Sequence, residues 1–313
     1  MGHWRRALPD RCQRHLCGGG QLAGHDTECE SRRGGTCAER PCRNGGGRRR
    51  LPASVPVCDP YPLEADPMSE LAVETMGLTR RFGSLVAVDE ISLKVAKGQL
   101  YGFLGLNGAG KTTTIRMLTT LLPPTKGSAK LLGHDITEEP LAVRKLIGLV
   151  SDETSESQSD WTAREYLTYF ARIRGLANVR DTVEQCLSNV GLAEHFRGKL
   201  IGTYSTGMKR RVEIARALLG NPKVLFLDEP TRGLDLPAKR ETWRLLRDLA
   251  SREGVTTFLS SHDAQEIRTL CTQISVIATG KLVFSGPAQD LGADLDTFEG
   301  KLIELLTSHL ELR

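Results

Sequence analysis

Gly105-Leu106-Asn107-Gly108-Ala109-Gly110-Lys111-Thr112-Thr113 is the stretch that decides the fold of this 313-residue chain. Its spacing, G-x-x-x-x-G-K-[ST], is that of a phosphate-binding loop. The glycines let successive backbone N–H groups turn inward around an anion with no Cβ in the way. Directly before it, Leu100-Tyr101-Gly102-Phe103-Leu104 is a short apolar run of the kind a buried parallel strand requires. Ile115, Met117 and Leu118 follow at helical spacing, and Pro123-Pro124 ends that helix. Strand, glycine-rich turn and helix together predict a P-loop nucleotide fold, with the positive end of the helix dipole facing the phosphates. Lys111 is then placed to reach the β- and γ-phosphates, and the Thr112 hydroxyl to ligate Mg²⁺.

A P-loop needs an acidic partner on a buried strand. Val224-Leu225-Phe226-Leu227-Asp228-Glu229 supplies four apolar residues ending in two carboxylates. Asp228, at the end of the strand, can hold Mg²⁺ through water, and Glu229 can accept a proton from water attacking the γ-phosphate. Between the two motifs stands Tyr204-Ser205-Thr206-Gly207-Met208, followed by Val212, Ile214, Ala215, Ala217, Leu218 and Leu219. This reads as a helix with Ser205 near its cap and a long apolar face behind it. Upstream, Leu71–Met76 and Ala87–Val95 alternate loosely, as strands of an antiparallel sheet do.

The rest of the composition mostly excludes. The formal charge is +4, and residues 1–67 hold eleven Arg, no Lys and eight acids, so most of that excess lies there. A nucleic-acid-binding face needs a stronger basic excess, so no nucleic-acid partner is expected. No run of about 18 apolar residues occurs, so no spanning helix is expected, and no apolar stretch of signal-peptide length opens the chain. Residues 1–67 contain no Ile or Phe, ten Gly and six of the eight cysteines. So few apolar side chains cannot offset backbone ordering entropy, which predicts a disordered tail. The spacings of Cys12, Cys17, Cys29, Cys37, Cys42 and Cys58 include no Cys-x-x-Cys, so zinc is a weak reading, and a disulfide framework is equally weak. Met68 or Met76 is the expected natural start. At the other end, Leu295, Phe298, Leu302, Ile303, Leu305, Leu306 and Leu310 form an apolar stripe at helical spacing, either packed on its own domain or covering a partner.

The order of these elements resembles the ATP-binding cassette (ABC) ATPases over about residues 71–290. Gly105, Asn107, Gly108, Ala109, Gly110, Lys111, Thr112 and Thr113 match the family's first motif, and Asp228-Glu229 its magnesium and catalytic acids. Ser205-Thr206-Gly207-Met208 stands where the signature Ser-Gly-Gly-Gln belongs, with Ser205 and Gly207 kept. Asp235, in Gly233-Leu234-Asp235, matches the D-loop, and His262 the switch histidine that contacts the γ-phosphate. Phe82 falls where the family stacks an aromatic on adenine; core packing is its plain alternative. Asp152, after Ile147-Gly148-Leu149-Val150, occupies the place of a Mg²⁺-contacting Gln, and its shorter side chain would ligate directly or through water.

The resemblance implies an α/β fold with a mostly parallel core sheet, an N-terminal antiparallel β subdomain and a helical subdomain over about 160–219 carrying the signature. The cassette domain would occupy 68–290 and a C-terminal amphipathic helix 291–313. It further implies ATP and Mg²⁺ as ligands, hydrolysis by Glu229 and His262, and a head-to-tail dimer in which one copy's signature closes its partner's P-loop. Separate membrane permease subunits would receive the energy, docking near Asp152 and the helices after Trp161. The chain would then sit in the cytoplasm, on the inner face of the cell membrane. The texture is similar to exporters of drugs, sodium ions or lipids. Translation-type cassette proteins carry two cassettes, whereas this chain has one P-loop and one signature. Chromosome-type relatives insert heptads, and none run between Thr112 and Ser205.

Overall fold

Among the described residues the first strand opens at Leu71. The computed structural model describes residues 70–151 and 158–308. The Arg/Gly/Cys-rich N-terminal stretch, Asp152 and Leu310 lie outside the described residues. β1 (Leu71–Phe82) turns at Gly83-Ser84 into β2 (Leu85–Ile91), with Phe82 opposite Leu85. Gly83 has φ +58°, the left-handed geometry a two-residue hairpin demands. β3 (Lys94–Ala96) continues along the same edge, pairing antiparallel with the start of β1. Met76 lies within β1, next to the buried Thr75, so a chain beginning there would lack the first half of this strand.

The parallel core consists of β4 (Leu100–Leu104), β7 (Ile147–Val150), β8 (Val224–Asp228), β9 (Thr256–Ser261) and β10 (Gln273–Ala278). β11 (Lys281–Pro287) adds an antiparallel edge, giving the order β11-β10-β4-β9-β8-β7. Every residue of β4, β8 and β9 is buried, as strands covered on both faces require. Side chains therefore alternate between two cores. Tyr101, Phe103, Phe226 and Phe258 fill the one beside the antiparallel sheet, while Leu104, Leu225, Leu227 and Leu259 fill the other. Phe258 sits among three rings at 5.4–5.5 Å between centroids, contacts worth about 0.5–1.5 kcal/mol per pair beyond area burial.

Helices fill both faces. α1 (Lys111–Leu118) follows the P-loop, and α2 (Pro140–Leu146) leads into β7. Between them β5 (Lys126–Leu131) pairs with β1 and β6 (His134–Asp135) pairs with β5, completing a five-stranded antiparallel sheet. The helical subdomain comprises α3 (Ala163–Ile173), α4 (Val179–Asn189), α5 (Glu194–Arg197) and α6 (Thr206–Leu218). Thr162 and Glu165 close a reciprocal capping box at the start of α3. α7 (Leu236–Glu253), α8 (Ala264–Leu270) and α9 (Leu295–Ser308) complete the chain. α9 buries Phe298, Leu302 and Leu306 and packs by α8 and β11, while Ile303 stays 60% exposed. Among the described residues no helix is long and apolar enough to cross a membrane.

Candidate nucleotide site

Three adjacent strands deliver the site. In the parallel register Leu104 lies beside Ser261 and Asp228 beside Ser260. The turns that leave β4, β8 and β9 therefore meet at one edge of the sheet, the carboxyl end where open α/β sheets bind ligands. Those turns carry the P-loop, Glu229 and His262.

The P-loop backbone is shaped by close approach. Gly110 caps α1 with φ +111°, and a Cβ there would come within 2.6 Å of the Ala87 carbonyl oxygen. A Cβ at Gly105 would collide with the Ile277 carbonyl oxygen. The loop is thus clasped between β2 and β10, and Gly280 N–H donates to Ala109 O at 2.9 Å. α1 has no side-chain cap and no acid in its first turn, so its leading amides remain suited to an anion. Lys111 is 5% exposed, and its Nζ donates to the carbonyls of Gly105 (2.7 Å) and Leu106 (3.2 Å).

Lys111 Nζ also lies 3.0 Å from Glu229 Oε1, and His262 Nδ1 lies 2.7 Å from Glu229 Oε2. Lysine, glutamate and histidine thus form one chain across the carboxyl edge. Glu229 is 7% exposed, and Oε1, though ion-paired, receives no aligned hydrogen bond. Oε1 is therefore held by charge rather than by an aligned donor, and it can still accept from water. Glu229 has φ +50°, a left-handed conformation costing about 1–2 kcal/mol for a residue with a Cβ. Ser260 holds it there, accepting from Glu229 N–H through both its carbonyl (3.2 Å) and its hydroxyl (3.3 Å). The same hydroxyl donates to Asp228 Oδ1 at 2.5 Å.

The candidate metal ligands are hard oxygens, the Thr112 hydroxyl and the Asp228 carboxylate, a set that fits Mg²⁺. Among the described residues no group of three or more His, Cys, Asp or Glu could hold a metal by itself. A cation here would complete its shell with water and substrate phosphate.

The other expected site residues are placed separately. Ser205 is exposed and caps α6, its Oγ accepting from Met208 N–H at 3.3 Å. Gly207 abuts α7, where a Cβ would meet Ala238 Cβ at 3.1 Å. Asp235 caps α7 through Ala238 N–H at 2.9 Å. Among the described residues, the hydrogen bonds of Ser205 and Asp235 stay local, and neither reaches Lys111 or Glu229. Phe82 ends β1, 45% exposed, with the Arg80 guanidinium 4.6 Å from its ring centroid. Its flat face is therefore at the surface and outside both cores, unlike the core-packing alternative. The residue before Asp152, Ser151, accepts from Arg210 Nη1 of the signature helix at 3.4 Å.

Sequence reasoning missed the polar layer beneath these groups. Glu266 is fully buried and accepts from Ser261 Oγ (2.6 Å), Thr231 Oγ1 (2.8 Å) and Trp243 Nε1 (3.1 Å). Burial raises its pKa, and the three donors oppose that shift. Burial also pushes the Asp263 carboxyl up, but the Lys239 ammonium and backbone amides outweigh it and hold it below the usual range. The adjacent serines Ser260-Ser261 before His262 were the available signal. An apolar groove of about 760 Å³, lined by Leu121, Leu141, Leu149 and Leu176 with Arg144, Lys145 and Arg174 at it, separates the core from the helical subdomain.

The ABC transporter family profile matches residues 88–232. The bacitracin transport ATP-binding protein BcrA of Bacillus licheniformis is 41% identical over 219 residues, spanning 70% of this chain and 71% of that protein. The daunorubicin/doxorubicin resistance ATP-binding protein DrrA of Streptomyces peucetius is 39% identical, over 72% of this chain and 68% of its own. Among solved structures, cbiO1 from Clostridium perfringens, part of the ABC transporter complex cbiONQ, superposes with a TM-score of 0.66 at 25% identity, covering 75% of this chain and 93% of its own.

Proposed function

Because the chain belongs to the ABC transporter family, we propose that its carboxyl-edge site binds and hydrolyses ATP with Glu229 as the base, driving transport through separate permease subunits. The observation that carries this reading is the chain Lys111–Glu229–His262, held at 3.0 and 2.7 Å where the P-loop meets β8 and β9. Arriving phosphates compete for Lys111 with their own negative charge. Its ammonium then leaves Glu229 for the β- and γ-oxygens, and the freed carboxylate orients and deprotonates water. His262 keeps Glu229 Oε2 occupied, which aims Oε1 at the water, and it can then contact the γ-phosphate. Gly105, Asn107, Gly108, Ala109, Gly110, Thr112 and Thr113 supply backbone amides and hydroxyls around the phosphates, and the exposed face of Phe82 stacks on adenine. Thr112 and Asp228, with Asp152, would hold Mg²⁺, which supplies charge neutralisation on the phosphate oxygens.

Ser205, Thr206, Gly207, Met208 and Asp235 act on a second copy. The exposure of Ser205, Thr206 and Asp235, and the local hydrogen bonds of Ser205 and Asp235, leave this surface available to close a partner's P-loop. The groove beside Leu121 and Leu141 and the exposed Trp161 and Tyr169 suit a permease segment, which holds the chain at the inner face of the membrane. The relatives' names favour export of a drug-like cargo, with ions or lipids as alternatives.

Mixing two crippled variants tests the shared site. Lys111→Ala spoils one P-loop and Ser205→Arg one signature, so each alone is inactive. A mixed head-to-tail dimer contains one intact P-loop facing one intact signature, and phosphate release returns. If both variants fold and the mixture stays as inactive as its components, the shared-site reading fails.

A further inference from the structure

We propose that Glu266 is a positioning residue for ATP hydrolysis, its buried carboxylate tying the loop after Glu229 and the strand before His262 to α7. This inference rests on the roles given above to Glu229 and His262. Glu266 touches neither the P-loop nor those two side chains, yet it holds Thr231, just beyond Glu229, and Ser261, just before His262.

The geometry is specific. Thr231, two residues beyond Glu229, donates to Glu266 Oε1 at 2.8 Å, and Trp243 Nε1 on α7 donates to the same oxygen at 3.1 Å. Ser261, directly before His262, donates to Oε2 at 2.6 Å. On the far side of His262, Asp263 N–H donates to Ser261 Oγ at 3.0 Å. Asp263 in turn caps Glu266 N–H and pairs with Lys239 of α7 at 2.9 Å. His262 is thus bracketed by two residues that Glu266 fixes.

The same carboxylate answers how Glu229 keeps its left-handed φ of +50°. Such a conformation persists only when its surroundings over-determine it. Ser260 holds one side of Glu229, through its N–H. Thr231 holds the other, since the intervening turn closes with Arg232 N–H on Glu229 O at 3.2 Å and Leu234 N–H on Thr231 O at 3.1 Å. All three side-chain donors converge on a residue with no exposed surface. A carboxylate that accepts three hydrogen bonds and donates none is a rigid node, and a shift at Thr231 or α7 reaches Ser261 through it. Asp235, the residue assigned to the second copy's site, caps α7, so partner contact and the Glu229–His262 pair share one anchor.

The test is a pair of substitutions at one arm, in the full chain, with Glu229→Gln measured alongside. Thr231→Val keeps the shape and removes the hydroxyl, and Thr231→Ser keeps the hydroxyl. Loosening the base costs about ten- to a hundredfold in kcat. The expected result is that fall for Thr231→Val with KM for ATP within about twofold, and near-native kcat for Thr231→Ser. Glu266→Gln in a Trp4→Phe/Trp161→Phe background is the second arm, where Trp243 emission should change on adding Mg-ATP to the parent and stay unchanged in the variant. Native kcat in Thr231→Val, equal losses in Val and Ser, or a loss seen only in KM or melting temperature would overturn the proposal. If Glu229→Gln also turns over normally, the catalytic reading beneath it fails instead.

Discussion

Removing the Lys111 side chain should destabilise the fold before any nucleotide is added. Lys111 and Glu229 are a buried pair, 5% and 9% side-chain exposed with 3.0 Å between charges. Deleting one partner of such a pair leaves an uncompensated charge and costs about 3–5 kcal/mol. In Lys111→Ala the carbonyls of Gly105 and Leu106 lose a donor as well. His262 still contacts Oε2, which places the loss near the lower end, about 3 kcal/mol. For a folded part of this size that is about 6–12 °C in Tm. Glu229→Gln alone costs less, about 1–2 kcal/mol, because Lys111 keeps its two carbonyls. The double variant has no stranded carboxylate, so it should lose about 2 kcal/mol, well short of the sum of the singles. Urea unfolding of all four proteins gives the coupling directly. Additivity within about 0.5 kcal/mol would refute the buried-pair account.

Gly110→Ala forces a Cβ to within 2.6 Å of the Ala87 carbonyl at φ +111°. It should lower stability by about 3 kcal/mol and abolish ATP binding, as thermal melts with and without Mg-ATP would show. Arg164 holds the Glu184 carboxyl below its usual value of 4.5 through a hydrogen bond, burial opposing it and Arg197 adding to it. That stabilisation is present above the unfolded value and is lost as pH falls through the depressed one. Glu184→Gln should therefore cost about 0.5–1 kcal/mol at pH 7 and flatten the acid limb of a melting profile. Deleting residues 295–313 uncovers the surface beneath Phe298, Leu302 and Leu306, so dye binding should rise and Tm fall by several degrees. Unchanged stability together with lost ATP-dependent association would instead assign α9 to a partner.

The site was legible where chemistry demands a local pattern. Gly110 must be glycine because its backbone meets Ala87, so the P-loop announces itself at fixed spacing. Asp228 ends a fully buried strand and Glu229 follows it, which an apolar run ending in acids encodes directly. Elsewhere the information is non-local. β5, Lys126–Leu131, buries only Ala129 and Leu131, and it forms because β1 lies ready to pair with it. Glu266 reads as an ordinary solvated helix glutamate, and only Thr231, Ser261 and Trp243, from three separate segments, make it a buried node. The left-handed turn at Glu229 has no sequence mark either, since it is imposed by Ser260 on the neighbouring strand.

The central claim is that Glu229 acts on the water while Lys111 serves the phosphates. Phosphate release by Glu229→Gln at saturating Mg-ATP, read beside the mass of the ATP-bound species, tests it most directly. The account predicts intact ATP binding, turnover reduced by about 10²–10⁴-fold and accumulation of an ATP-bound dimer. Turnover near the native rate, with ATP bound and the fold intact, would contradict it.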